Sequence, residues 1–153
     1  MLTVKQVIES KSKPFNTIPS DTLVIDALNL MNSVNLSYLV VMEEDSYKGL
    51  FSERDYSRNV ILKGRASNST KVAEVMTTDL PVVTEKGTVE QCMQLMNSHK
   101  TRYLLAYDET EEHFLGVITI HDLLRQVINN REAVFDSKVA SALIDEDEKG
   151  RIY

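Results

Sequence analysis

Two short stretches carry the residue types that could do chemistry. Ser52-Glu53-Arg54-Asp55 sets a hydroxyl three residues before a carboxylate, behind the apolar run Gly49-Leu50-Phe51, and Thr119-Ile120-His121-Asp122 follows Gly116-Val117-Ile118 in the same way. Such a pair has a purely local use at a helix start, where each side chain accepts the other's free backbone N–H in a capping box, a contribution on the order of 1 kcal/mol. It also has a use toward a ligand. Helix starts offer N–H groups and partial positive charge to a phosphate, a hydroxyl adds a donor, and a carboxylate one turn on accepts from the vicinal hydroxyls of a ribose. Phosphate and ribose together make a nucleotide, so each motif reads either as a cap or as part of a nucleotide site.

Cations accompany the first motif. Arg54 and Arg58 lie four apart, on one face of a helix, and with Lys63 and Arg65 they outweigh Asp55 to leave residues 54–65 at +3 in a chain of net charge −6. The planar guanidinium fork suits phosphate oxygens, although a solvated helix face needs the same residues. The second motif has His121 and the stretch Asp122-Leu123-Leu124-Arg125-Gln126, with less positive charge. Two sites built on these motifs should differ in phosphate preference.

The elements that position the motifs come in duplicate. Residues 29–41, NLMNSVNLSYLVV, align with residues 94–106, QLMNSHKTRYLLA, and after a hairpin loop two residues longer Gly49, Ser52 and Asp55 fall on Gly116, Thr119 and Asp122. Within each copy Val24, Ala27, Leu28 and Met31, or Val89, Cys92, Met93 and Met96, mark a helix with one buried stripe. YLVVM and YKGLF, then YLLAY and HFLGVIT, read as hairpins around polar turns. A second helix follows each hairpin, with Ser52 or Thr119 as N-cap, a stripe of Tyr56, Val60 and Ile61 or of Leu123, Leu124, Val127 and Ile128, and Gly64 closing the first. The extended pieces FNTIP and LPVVT precede the copies, so each is expected to run strand, helix, strand, strand, helix.

The flanks complete the expected organisation. Val4, Val7 and Ile8 make the opening VKQVIES a cap helix, residues 63–70 are a polar linker, and KVAEVM is a brief helix leading into the second copy. Phe135, Val139 and Leu143 form one amphipathic stripe, whereas DEDEKGRIY reads as a mobile tail. The division is therefore residues 1–70 for the first repeat with its helix and linker, 71–130 for the second, and 131–153 for a C-terminal helix and tail. A sheet with helices on one face leaves its other face apolar, and two such halves facing each other bury both, creating a cleft with approximate two-fold symmetry.

Composition narrows the classes of partner. The 153 residues are 42% hydrophobic and 26% charged, as in globular proteins, and the acidic balance weighs against nucleic acid or an anionic membrane as the main partner. No apolar run approaches the ~20 residues of a membrane span. A single cysteine, Cys92, and an opening MLTVKQVIES without signal-peptide features lead to a cytoplasmic expectation.

The repeated pattern, LVIDALNLM to GLFSERD and TVEQCMQLM to GVITIHD, resembles a tandem pair of CBS domains, the Bateman module, over roughly residues 1–130. More narrowly, FSERDYSRNVILKGRASNSTKVAEVMT is similar to small stand-alone CBS-pair proteins of bacteria and plant organelles. The resemblance implies an α+β fold of two βαββα repeats with an N-terminal cap helix, a flat homodimer, and adenosine ligands in the cleft: AMP first, with ATP, NAD(H) or S-adenosylmethionine as alternatives. It assigns ribose hydroxyls to Asp55 and Asp122, phosphate or ribose to Ser52 and Thr119, phosphate to Arg54, Arg58, His121 and Arg102, and adenine packing to Ile18 and Val83. Where second repeats of the family often read R-H-L-P-V, this chain has RYLLA. Tyr38 and Tyr103, equivalent by the repeat, either stack on a base or fill the cleft.

Other chemistry finds less support. Cys92 sits on a helical stripe as a core residue, the six methionines read as core, and His99, His113 and His121 lack metal-ligand spacing. Neither a dinucleotide nor a P-loop glycine motif occurs. The expected function is a regulatory adenosine-nucleotide sensor that modulates a partner protein and is not an enzyme. The alternative is a ligand-free dimeric scaffold, and a nucleic-acid role through residues 54–65 stands third.

Overall fold

Each repeat forms its elements in the expected order. The computed structural model describes residues 2–13, 15–129 and 137–149. Two compact units comprise residues Phe15–Asp79 and residues Met1–Pro14 with Leu80–Tyr153.

In the first unit, strand β1 (Thr17–Ile18) runs parallel to β2 (Tyr38–Glu43), which pairs antiparallel with β3 (Ser46–Ser52). Ile18 pairs with Val41, Leu39 with Phe51 and Tyr38 with Ser52. Alternation along the strands sends Ile18, Leu39, Val41 and Phe51 to one face, where they pack with Val24 and Ala27 of helix α2 (Val24–Val34). Tyr38, Val40, Leu50 and Ser52 take the other face and are also buried. Helix α2 stops at Asn35, whose φ of 53° is left-handed and whose N–H returns to the Met31 carbonyl.

The second unit repeats this plan. Strand β4 (Val82–Thr84), helix α4 (Val89–His99), and strands β5 (Tyr103–Tyr107) and β6 (Phe114–Thr119) form the same sheet order, with Tyr103 opposite Thr119. Helix α4 opens with a Thr88–Gln91 capping box and ends at Lys100, left-handed with φ 53°, the position equivalent to Asn35. Its stripe of Val89, Cys92, Met93 and Met96 meets Leu104, Ala106 and Ile118 in one core.

The lead-in segments pack differently from the linear division at residue 70. Helix α1 (Val4–Ser10) belongs with the second repeat: Val4 and Val7 join its core, and the Val4 N–H donates to the Gly87 carbonyl at 2.8 Å. Residues 71–79, assigned by order to the second copy, belong with the first. A 3₁₀ turn, Val72–Glu74, buries Val72 among the α2 residues, and Leu50 and Thr77 exchange backbone bonds of 2.9 Å each. Gly49 permits that crossing, because a Cβ there would stand 2.5 Å from Met76 Sδ and 3.0 Å from the Thr77 carbonyl oxygen. Both lead-in helices are expected from the sequence, VKQVIES by its apolar stripe; which sheet each covers depends on how the chain folds back.

The helices after the hairpins also depart in detail from expectation. In the first repeat, α3 (Glu53–Asp55) passes directly into a π-helical turn, Tyr56–Ile61, in which the Leu62 N–H reaches back five residues to the Ser57 carbonyl. The wider turn means that Arg54 and Arg58 no longer stand one full α-turn apart. It also turns Ile61 outward, at 54% exposure, while Val60 is fully buried. In the second repeat α5 (Ile120–Asn129) buries Leu123 and Gln126 and leaves Leu124 and Ile128 exposed, so both expected stripes are narrower than predicted.

Helix α6 (Ser137–Glu148) packs on α4, with Leu143 buried and Val139 against the same core. Residues 145–148, expected in a tail, are therefore helical, and Lys100 pairs with Glu146 at 3.2 Å. Phe135 and residues 150–153 lie outside the described residues.

Candidate functional site

In the first repeat the end of β3 feeds straight into the candidate motif. Ser52 is still extended (φ −121°, ψ 167°), so its hydroxyl faces the first turn of α3 and accepts from the Asp55 N–H at 3.3 Å. The Ser52 N–H and hydroxyl donate to Asp55 Oδ2 at 2.9 and 3.0 Å. The cap reading of the motif is thus realised. A third partner, Thr77, comes from the lead-in segment beside β3 and donates its hydroxyl to Asp55 Oδ1 at 2.8 Å. Asp55 is only 4% exposed, and burial raises its carboxyl above the ordinary value; the bonds from Thr77 and Ser52, and then the Arg54 charge, oppose that rise.

The neighbours divide by sheet face. Tyr38, directly across from Ser52, shares its face and is 7% exposed. Ile18, expected against adenine, takes the opposite face with the α2 core, and Val83 does the same in the second repeat. Period-two alternation gives the motif's face to Thr17 and Val82 instead. Arg54 and Arg58 are exposed on the turns after Asp55, whereas Arg65 reaches the Glu74 carbonyl at 3.4 Å and so ties down the linker.

The second repeat has the same reciprocal cap with a different third partner. The Thr119 N–H donates to Asp122 Oδ2 at 2.9 Å, and the Asp122 N–H donates to Thr119 Oγ1 at 3.2 Å. Here Lys11, just past α1, donates its ammonium to Asp122 Oδ2 and to the Val117 carbonyl, both at 2.9 Å. The two charged side chains are 10% and 6% exposed. Arg125 stands 3.8 Å from Asp122 Oδ1. Arg102 and His121 are exposed, and Tyr103, partly buried, lies across from Thr119.

Neither Lys11 nor Thr77, the last residue of FSERDYSRNVILKGRASNSTKVAEVMT, is among the site residues expected from the sequence. Each lies in a lead-in segment, far in sequence from its carboxylate. Neither residue type is distinctive in a stretch of polar residues; only the packing of those segments brings them to Asp55 and Asp122. Elsewhere, burial pushes the Cys92 thiol up to about 12, which leaves it a core side chain rather than a nucleophile. Among the described residues no group of three or more His, Cys, Asp or Glu side chains is placed to hold a metal ion. No described helix is long and apolar enough to cross a membrane.

Residues 4–61 and 72–129 each match the CBS domain, covering most of the chain and both copies of the motif. The chain belongs to the CBS domain family. A CBS domain-containing protein of Arabidopsis thaliana, the mitochondrial CBSX3, is 33% identical over 136 residues, which are 83% of this chain and 65% of that protein. A CBS-domain protein from Burkholderia ambifaria MC40-6 has been solved with 32% identity and a TM-score of 0.76, over 86% of this chain and 97% of its own. CBSX2, solved in complex with AMP, shares the CBS fold at 22% identity and a TM-score of 0.69, over 86% of this chain and 100% of its own.

Proposed function

We propose that this CBS pair is a regulatory module that binds an adenosine nucleotide, AMP before ATP or NAD(H), and thereby modulates a partner protein. The observation that carries the reading is the buried Ser52–Asp55 pair at the end of β3, with Arg54 and Arg58 exposed on the turns that follow. Asp55 would accept the ribose hydroxyls in place of the Thr77 hydroxyl, and Ser52 would stay beside the sugar or its phosphate. The arginines would meet phosphate. Thr119, Asp122, Arg102 and His121 are the corresponding candidates in the second repeat. AMP in a fold neighbour agrees with this class of ligand, but at that identity the neighbour speaks for the fold, so the ligand reading rests on the residues of this chain.

The same reading makes the assembly a homodimer, in keeping with the exposed Ile61, Leu62 and Ile128, and sedimentation at several concentrations tests it. A second reading has a specific observation in its favour. Both carboxylates already complete their own caps and Tyr38 is buried, as a ligand-free scaffold would require. Thermal melts with AMP, ADP, ATP, NAD, NADH and S-adenosylmethionine separate the two. A ligand at a hundredfold its dissociation constant adds about 2.7 kcal/mol, roughly 5–10 °C at this chain length. A shift of that size that disappears in Asp55→Asn supports the sensor; no shift with any of the six supports the scaffold.

A further inference from the structure

The two repeats hold equivalent carboxylates by equivalent caps, yet the third partner is a neutral hydroxyl in one and a buried ammonium in the other. We infer that Lys11 is an internal latch that closes the second repeat to ribose, so that the wild-type chain takes a single nucleotide, at Asp55. This deepens the nucleotide reading above and rests on it.

A ribose hydroxyl would have to displace a different donor in each repeat. At Asp55 it would replace the Thr77 hydroxyl, one neutral donor for another, and uncover no charge. At Asp122 it would replace an ammonium. That exchange leaves a carboxylate of 6% exposure without its hydrogen-bonded ammonium and a lysine of 10% exposure with the Val117 carbonyl as its remaining acceptor. Arg125, at 3.8 Å from Oδ1 and 57% exposed, stays near the carboxylate and offsets only part of that cost from a solvated position.

Lys11 is also held in place rather than merely nearby. It follows directly on α1, which is anchored by Val4 and Val7 at no more than 1% exposure, by the Thr3–Gln6 capping box, and by a 3.3 Å bond from Gln126 Nε2 to Ser10 Oγ. The Lys11 N–H closes the helix on the Ile8 carbonyl at 3.2 Å. The side chain therefore leaves a fixed point of the unit and reaches Asp122 with its stem covered. Among the described residues the hydrogen bonds to Asp55 come from Ser52 and Thr77, both neutral, and the exposed Arg54 acts on its charge only weakly.

Calorimetric titration of the full chain with AMP tests the latch in four proteins: wild type, Lys11→Met, Asp55→Asn, and Lys11→Met combined with Asp122→Asn. The expected result is one AMP per wild-type chain, weakened roughly 10-fold or more in Asp55→Asn. Lys11→Met should take two, and the added one should be lost when Asp122→Asn is combined with it. Lys11→Gln, which keeps a donor and removes the charge, replaces Lys11→Met if that variant melts below the titration temperature. Two AMP molecules on the wild-type chain, or one on a folded Lys11→Met and Lys11→Gln, overturns the latch and leaves the nucleotide reading standing. No AMP on any of the proteins overturns both.

Discussion

The Lys11–Asp122 pair yields a prediction whose size can be worked from its geometry. The side chains meet at 2.9 Å with 10% and 6% of their surface exposed, so removing one partner strands a charge that water reaches poorly. Breaking a buried pair from one side costs about 3–5 kcal/mol. Two features reduce that figure here: Asn at position 122 still offers an oxygen to Lys11 and to the Thr119 N–H, and a lysine stem can extend its ammonium toward solvent. Asp122→Asn is therefore expected to cost about 2–4 kcal/mol, a substantial share of a typical domain stability of roughly 5–15 kcal/mol. Lys11→Met should cost a similar amount, because it removes the ammonium bonded to the carboxylate and leaves the Val117 carbonyl without its donor. The double variant strands neither charge and should lie within about 1–2 kcal/mol of wild type. Urea unfolding followed by circular dichroism, at pH 7 and at two salt concentrations, gives the four stabilities of the cycle. The expected coupling exceeds about 1.5 kcal/mol and persists at high salt, because a covered pair is screened little. A coupling below about 0.5 kcal/mol, or one that salt abolishes, would place the pair in the class of surface ion pairs and refute the reasoning.

Three further predictions concern single sites. Burial raises the folded-state carboxyl of Asp55 above its unfolded value, so ionised Asp55 detracts from stability above the raised value and that penalty fades as pH falls through it toward about 4; Asp55→Asn should remove this pH dependence, read by denaturant melts across the acid range. Gly49→Ala should lose about 1–3 kcal/mol, since its Cβ meets Met76 Sδ at 2.5 Å, and a paired Met76→Ala that restores part of the loss would identify the clash as the cause. The Cys92 thiol, 1% exposed and raised to about 12, should resist a thiol reagent in the native chain and react at the rate of unfolding; prompt reaction at pH 8 would contradict the packing.

Local regularities carried most of the architecture and the two hydroxyl–carboxylate caps; the Thr3–Gln6 and Thr88–Gln91 boxes were not read from the sequence. Duplication was legible because Leu, Met, Asn, Ser and Tyr recur at one spacing, and the strands and first helices because period two and period 3.6 differ over a few residues. The hydroxyl–carboxylate motif was legible as a cap because its bonds span three residues. Where a reading needed the π-turn after Asp55, as for Ile61 and the Arg54–Arg58 spacing, it departed from the structure, since nothing local distinguishes a five-residue bond from a four-residue one in YSRNVI. The resemblance sets Ile18 and Val83 against a base, whereas register with Val41 and Ala106 turns them toward the helices.

What the sequence by itself determined is the doubled unit, its order of elements and the presence of a buried-capable hydroxyl and acid at the same point of each copy. Only the tertiary structure decided what each acid meets. Thr77 reaches Asp55 from 22 positions away and Lys11 reaches Asp122 from 111 away. Both depend on which sheet a lead-in segment covers, and that choice is made by the packing of Val72 and of Val4 and Val7 into particular cores. Short-range patterns encode conformation because their energies act between near neighbours; the difference between a neutral and a cationic partner arises from contacts that exist only once those cores have formed.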